Sequence, residues 1–318
     1  MHLPSVDILE SEYSHTDMGA SALFVEVKKK HSLDPFRDPI SIGATLTHFT
    51  FAIDSISSKE ERDQARKVLG QNALYAAEIC ARQHRHCCFS ISLSGSHTRL
   101  MRWDRSGAIA TRSFSLHNHP ELLCQFLWRF AHISDAQRGY DLTVARGSDK
   151  DQKIFLDAVR EHVKLQKGID NDVALNASHT VHEHYKAGAV SVMTLFSAME
   201  PPKEFLVCRP LASPLSVTGR ATRAYWAVDR NTHDVVLLKD TWRYIVPGAE
   251  EEGNVITELN EVGVRNVPTL LFHGYVPSSM EPRGADEKEA GEGSPSQPRE
   301  HPGLIFDYLG KYNIISTE

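Results

Sequence analysis

In the second half of the chain, several residues have the types and spacing to hold a phosphate. A turn at Gly219-Arg220-Ala221 is followed by a strand-like run, Asp234-Val-Val-Leu-Leu, that ends on Lys239. A segment of helical period then runs from about Ala249 to Glu261 and begins with Glu250, Glu251 and Glu252. A glycine turn lets backbone amides come close to a phosphate because no side chain intervenes. A strand lysine supplies the positive charge, and a carboxylate on the next helix holds that ammonium in place. Glu252 is the preferred partner, since Val255, Ile256 and Leu259 follow at helical spacing and give the helix an apolar face beneath it. Glu250 and Glu251 are the alternatives, in a first turn where negative charge favours the helix dipole. The plainer reading is a solvated strand-end lysine and an acidic helix cap.

The first half offers a different chemistry. Asp7 lies in the short β-like run Ser5-Val-Asp-Ile-Leu, and Ala22 to Lys28 (ALFVEVK) reads as a buried strand. Glu26 and Lys28 are two apart on it and therefore share a face. Together Asp7, Glu26 and Lys28 resemble the PD-(D/E)xK nuclease signature, in which two carboxylates bind a divalent metal such as Mg and the lysine orients the attacking water. Asp63 to His84 has a helical rhythm, with Gln71 and Tyr75 one turn apart. A Q-x-x-x-Y helix of this kind also occurs in RecB-like members of that superfamily. The alternatives are a solvated Glu–Lys pair, or a retained fold acting as scaffold or nucleic-acid platform. His84, His86, Cys87, Cys88, His117 and His119 cluster without the paired spacing of a zinc site, which reads as ordinary surface or partly buried residues.

The wording of the chain goes further than these constellations. GRATR, LLKDTWR, EGNVITELNEVGV and NVPTL resemble, nearly motif for motif, the fungal-type protein kinase-like family (the FunK domain). FVEVK, YAAEICARQHRH, RLMRWDRSGAI and FLWRFAHISDAQRGYD resemble that family's amino-terminal half. The resemblance implies a kinase small lobe in which Gly219, Arg220 and Ala221 cover a nucleotide, Lys239 binds its phosphates and Glu252 holds the lysine. The family's usual phrase is GRGTR, so Ala221 stands where a glycine is usual. In a complete relative the implied activity is ATP-dependent phosphotransfer to protein hydroxyls. No HRD-like catalytic loop or DFG occurs before Glu318. The expectation is therefore a chain truncated after the small lobe, with no catalytic residue of its own, weak ATP binding at best and no phosphotransfer by itself.

The elements that must position these residues follow from the remaining pattern. Residues 1–140 are expected to form a PD-(D/E)xK-like α/β domain, with a helix at Leu122 to His132 whose Phe126, Trp128 and Phe130 are core. Residues 141–202 are a connector: a cap at Gly147-Ser-Asp-Lys-Asp, a helix from Ile154 to Lys164, a loop, and a hairpin from Val181 to Phe196 with His182 and His184 at the surface. Residues 203–318 are expected to be the α+β lobe, an antiparallel sheet with one helix. Its insertion at 277–302 is too poor in apolar residues to order itself, and a fifth strand starts at Gly303 with Asp307 to Leu309 meeting adenine.

Composition sets the outer bounds. A net charge of −6 argues against coating nucleic acid by bulk attraction, though a local groove for it is compatible. Five cysteines without scaffold spacing fit a reducing compartment. No signal peptide is visible and no apolar run nears the roughly 20 residues that cross a bilayer. An intracellular protein, cytoplasmic or nuclear and off the membrane, is expected, with nucleotide, protein substrate or nucleic acid as partners.

Overall fold

Ser58 caps the longest helix through its hydroxyl, which accepts from the Glu61 N–H, and the apolar rhythm that follows sets the first layer. Helix α1 (Lys59–Arg82) buries Ala65, Val68, Ala76, Ala77, Ile79 and Cys80. The computed structural model describes residues 17–38, 58–168, 179–197, 200–214, 216–244, 250–276 and 299–306. In 243–244, 275–276 and 299–306 that description is of the backbone. Asp7, most of the insertion at 277–302 and the 307–309 segment lie outside these residues.

The first sheet holds β1 (Phe24–Lys28), β2 (Cys87–Ser94), β3 (His97–Asp104) and β4 (Gly107–Ala110) in that order, with β5 (Phe114–Ser115) also on β3. β1 runs parallel to β2, and the remaining pairs are antiparallel. α1 follows β1 in the chain and precedes β2. It packs on one face through Phe24, Cys88, Met101 and Trp103. Helix α2 (Pro120–His132) approaches the other face, where Phe126 and Phe130 meet Phe89. Trp128 is not core as expected. It is 64% exposed and stacks on His132, one turn on, because the apolar stripe of this helix is narrower than its aromatic content suggests.

The second sheet is larger. Its strand order is β11 (Arg243–Tyr244), β13 (Arg299–Phe306), β10 (Val235–Asp240), β9 (Arg223–Asp229), β8 (Lys203–Val207), β7 (Ser191–Leu195) and β6 (Val144–Arg146), with β12 (Leu270–Val276) also pairing β13. Helix α3 (Asp149–Lys167) starts at a capping box formed by Ser148 and Asp151. It packs with helix α4 (His179–His184) on one face, against Val192, Leu206, Trp226 and Val228. The opposite face buries Met193, Leu195, Phe205, Val207, Tyr225 and Leu238. Phe272 of β12 joins this cluster, so the sheet curls until β12 lies against the end of β7.

Three expectations change here. The hairpin over 181–196 is instead a short helix followed by β7, since six residues are too few to show a helical period. His184 is consequently buried rather than at the surface. β13 begins at Arg299, so the last four residues of the expected insertion are strand. Finally, β6 and β7, drawn from the connector, continue the lobe's own sheet, and the boundary at 202/203 falls between the hydrogen-bonded strands β7 and β8. No helix among the described residues is long and apolar enough to cross a membrane.

Burial against Trp226, whose ring centroid lies 3.8 Å away, pushes the His184 imidazole down to about 4. His162 meets the same indole edge-on at 4.9 Å and is lowered by burial too. The folded state thus favours neutral His184, so its contribution to stability is complete above the unfolded value of about 6.5 and is lost as pH falls from there towards 4. Urea unfolding at pH 7 and pH 5 is expected to show a lower midpoint at pH 5, and His184→Phe is expected to reduce that difference.

Candidate functional site

Gly219, Lys239 and Glu252 sit where β9, β10 and the next helix converge. Strand alternation places Lys239 on the same face as Leu237 and Val235, at the far end of β10. Helix α5 (Glu252–Glu261) begins after residues 245–249 and brings Glu252 into an ion pair with Lys239. The lysine side chain is 29% exposed and the glutamate 43%, so the pair contributes at most about 1 kcal/mol to stability. Its effect is to fix where the ammonium points, leaving N–H donors for another anion. Glu251 is the N-cap residue of α5 and Glu250 is exposed.

Sequence reasoning did not single out the residues that seat α5. A Cβ on Gly253 would lie 2.5 Å from His273 Nδ1, so only glycine allows the first turn of the helix so close to β12. Asn260 secures the other end, accepting from the Leu270 N–H and donating to the Pro268 carbonyl. A glycine directly after the candidate glutamate was the available signal.

The turn at Gly219 is tied to the end of β10. Gly219 has φ of 90°. The Arg220 carbonyl accepts from the Trp242 N–H at 2.7 Å and from the Thr241 hydroxyl at 3.4 Å. Thr222 and Thr241 pair through their hydroxyls at 2.9 Å. Arg223 and Asp240, both almost fully buried, form an ion pair at 2.6 Å. Burial disfavours the Arg223 charge, but Asp240 beside it more than offsets this and holds its pKa above the ordinary value. Ala221 has φ of 43°, the left-handed region that glycine occupies without strain. The backbone therefore keeps the glycine-like bend although the side chain has changed.

In the first sheet, Glu26 and Lys28 form an ion pair, and Lys28 also donates to Gln71 Oε1 at 3.0 Å. Gln71 donates to the Tyr75 hydroxyl at 2.6 Å, and Tyr75 packs edge-on to Phe24. The E-x-K strand and the Q-x-x-x-Y helix therefore meet in one hydrogen-bonded chain. Among the described residues, no group of three or more His, Cys, Asp or Glu is placed to hold a metal. Glu26 is the carboxylate here, and a divalent cation takes about six oxygen ligands, so the described residues do not by themselves fit Mg. Sequence reasoning also missed Asp34, which Arg99 grips through Nε at 2.7 Å, on a spacing of 65 residues that leaves no local trace.

The profile of the fungal protein kinase family matches residues 48–288, well over half of the chain. The chain belongs to that family. This match to fungal protein kinases runs from the approach to α1 to past β12 and leaves out β1 and β13, so α1 and the β2–β3 hairpin lie inside the family's own unit. The mixed α/β architecture is compatible with a kinase-like fold. No curated protein and no solved structure matches the chain.

Proposed function

We propose that these residues form the nucleotide-binding part of an ATP-dependent protein kinase of the fungal type. The observation that carries the reading is the Lys239–Glu252 ion pair at the end of the strand reached by the Gly219 turn. In this reading the backbone of Gly219, Arg220 and Ala221 lies along the phosphates. Lys239 donates to a phosphate oxygen, and Glu252 keeps the ammonium from swinging into solvent. ATP, with its Mg, brings the phosphoryl group, and a serine, threonine or tyrosine hydroxyl of a protein accepts it in a complete relative. The 318 residues contain no HRD or DFG tripeptide, so we propose that by themselves they bind nucleotide without transferring phosphate. Five free thiols accord with a reducing, intracellular setting.

Titration of the full chain with a fluorescent ATP analogue and MgCl2 tests this. Lys239→Ala is expected to weaken binding by about 10- to 100-fold, the worth of a hydrogen bond to a charged group. Glu252→Gln should weaken it less. Equal affinity for wild type and Lys239→Ala would overturn the reading. Turnover of radiolabelled ATP that disappears in Lys239→Ala would overturn the binding-only part of it.

A second reading rests on the Glu26–Lys28–Gln71–Tyr75 chain, which brings together both halves of a nuclease-like pattern. In it the first sheet contacts nucleic acid, with Lys28 directed at a backbone phosphate. Mg-dependent cutting of DNA abolished by Glu26→Ala or Lys28→Ala would promote it. Absence of cleavage across several metals and substrates would leave that half a non-catalytic scaffold.

A further inference from the structure

The loop between β8 and β9 is held from two directions. On the lobe side, Arg220 and Thr222 are bonded to Thr241 and Trp242 at the end of β10. On the other side, Val217 leaves its own sheet and is buried in the core of the first, beside Ala76, Ala77, Cys80 and Trp103. The Val217 carbonyl accepts from Arg105 Nη1 at 3.0 Å. Arg105 sits in the β3–β4 turn, is 3% exposed, and reaches the Arg85 carbonyl at 3.5 Å with its other terminal nitrogen. Its guanidinium also lies over the Trp242 ring, 5.8 Å from the centroid. Arg105 thus touches both Val217, two residues ahead of Gly219, and Trp242, whose N–H bonds the turn.

A second link reinforces it. Arg223, the first residue of β9, donates to the Ala81 carbonyl near the end of α1 at 3.2 Å. A pocket of about 490 Å³ opens beside it, lined by Gly70, Ala73 and Leu74 of α1 and by residues 216–218. Burial pushes the Arg105 guanidinium below the ordinary value and Arg223 adds to this, while the Asp240 carboxylate, which is paired with Arg223, works against it. Burying a guanidinium that has no carboxylate in direct contact is costly, and its hydrogen bonds to carbonyls offset part of that cost. The planar fork of an arginine can join two carbonyls in fixed geometry, which a lysine cannot.

We infer that Arg105 is a positioning residue for nucleotide binding: from the first sheet, it sets the place of the Gly219–Ala221 turn relative to Lys239. The α/β unit is in this sense a working part of the nucleotide site, acting through Val217. The inference rests on the reading of that turn and Lys239 as a nucleotide clamp.

Its test combines two readouts on the full chain: hydrogen exchange of the Trp242 and 216–222 amides, and affinity for a fluorescent ATP analogue with MgCl2. Arg105→Met keeps the stem and removes the donors. It is expected to speed exchange at 216–222 and Trp242 by about tenfold, to weaken nucleotide binding by a similar factor, and to leave the amides of β7 and β8 unchanged. Should Arg105→Met fail to fold, Arg105→Lys keeps charge and stem yet cannot bridge both carbonyls, and the same readouts decide. Unchanged loop exchange would overturn the inference, as would a rise spread evenly through β1–β3, which marks general loosening. A freed loop with unaltered nucleotide affinity would overturn it too. Lys239→Ala separates the two levels, because it should weaken binding by about 10- to 100-fold while the loop exchanges as in wild type. If Lys239→Ala binds as tightly as wild type, the clamp itself is refuted, whatever Arg105 does.

Discussion

Replacing Asp240 with alanine is expected to destabilise the protein by about 3–5 kcal/mol, the cost of leaving a buried guanidinium without its carboxylate. Arg223 and Asp240 are exposed by only 2% and 1% of their side chains, and the pair joins β9 to β10 just below the glycine turn. Urea unfolding measures the loss directly. The double variant Arg223→Met with Asp240→Leu is expected to recover most of it, because the penalty belongs to the stranded charge and not to the missing attraction. The neighbouring residue makes the contrast useful. Lys239→Ala removes a partly exposed pair and should lower stability by at most about 1 kcal/mol while weakening nucleotide binding by about 10- to 100-fold. Adjacent positions on one strand are therefore expected to separate stability from binding, because alternation sends one side chain inward and the next towards Glu252.

Gly274→Ala is the other large effect. A methyl there would lie deep inside van der Waals contact of the Phe196 carbonyl oxygen, 2.9 Å from its carbon and 3.1 Å from the Phe272 ring. The first of these is backbone and cannot rotate away. Overpacking of this kind costs about 3 kcal/mol, and here it should push β12 off the end of β7 and open the curled sheet. Thermal unfolding reads the stability. Loss of protection in the β12 amides, with α1 amides unaffected, would locate the damage.

Much of this architecture was legible because it is local. α1 announced itself by its apolar rhythm, and α3 by the Ser148 cap that accepts from Asp151. The pairing of Lys239 with Glu252 spans 13 residues and could be proposed from strand, turn and helix in order. The links between halves could not. Arg105 and Val217 are 112 residues apart, and Arg223 and Ala81 are 142, and no period or cap records such contacts. Trp128 and His184 were misplaced for a related reason. An aromatic helix face reads as core wherever it occurs, and a one-turn helix has no period, so only the packed neighbours decide which side meets water.

The pairing of β7 with β8 has a consequence for how such a chain can be divided or recombined. Cutting between residues 202 and 203 would strip β8 of five ladder partners and turn a central strand into a bare margin, open to any passing chain. Fragments starting at 203 are therefore expected to associate or precipitate. A fragment meant to keep β8 paired would have to carry β7 along with it.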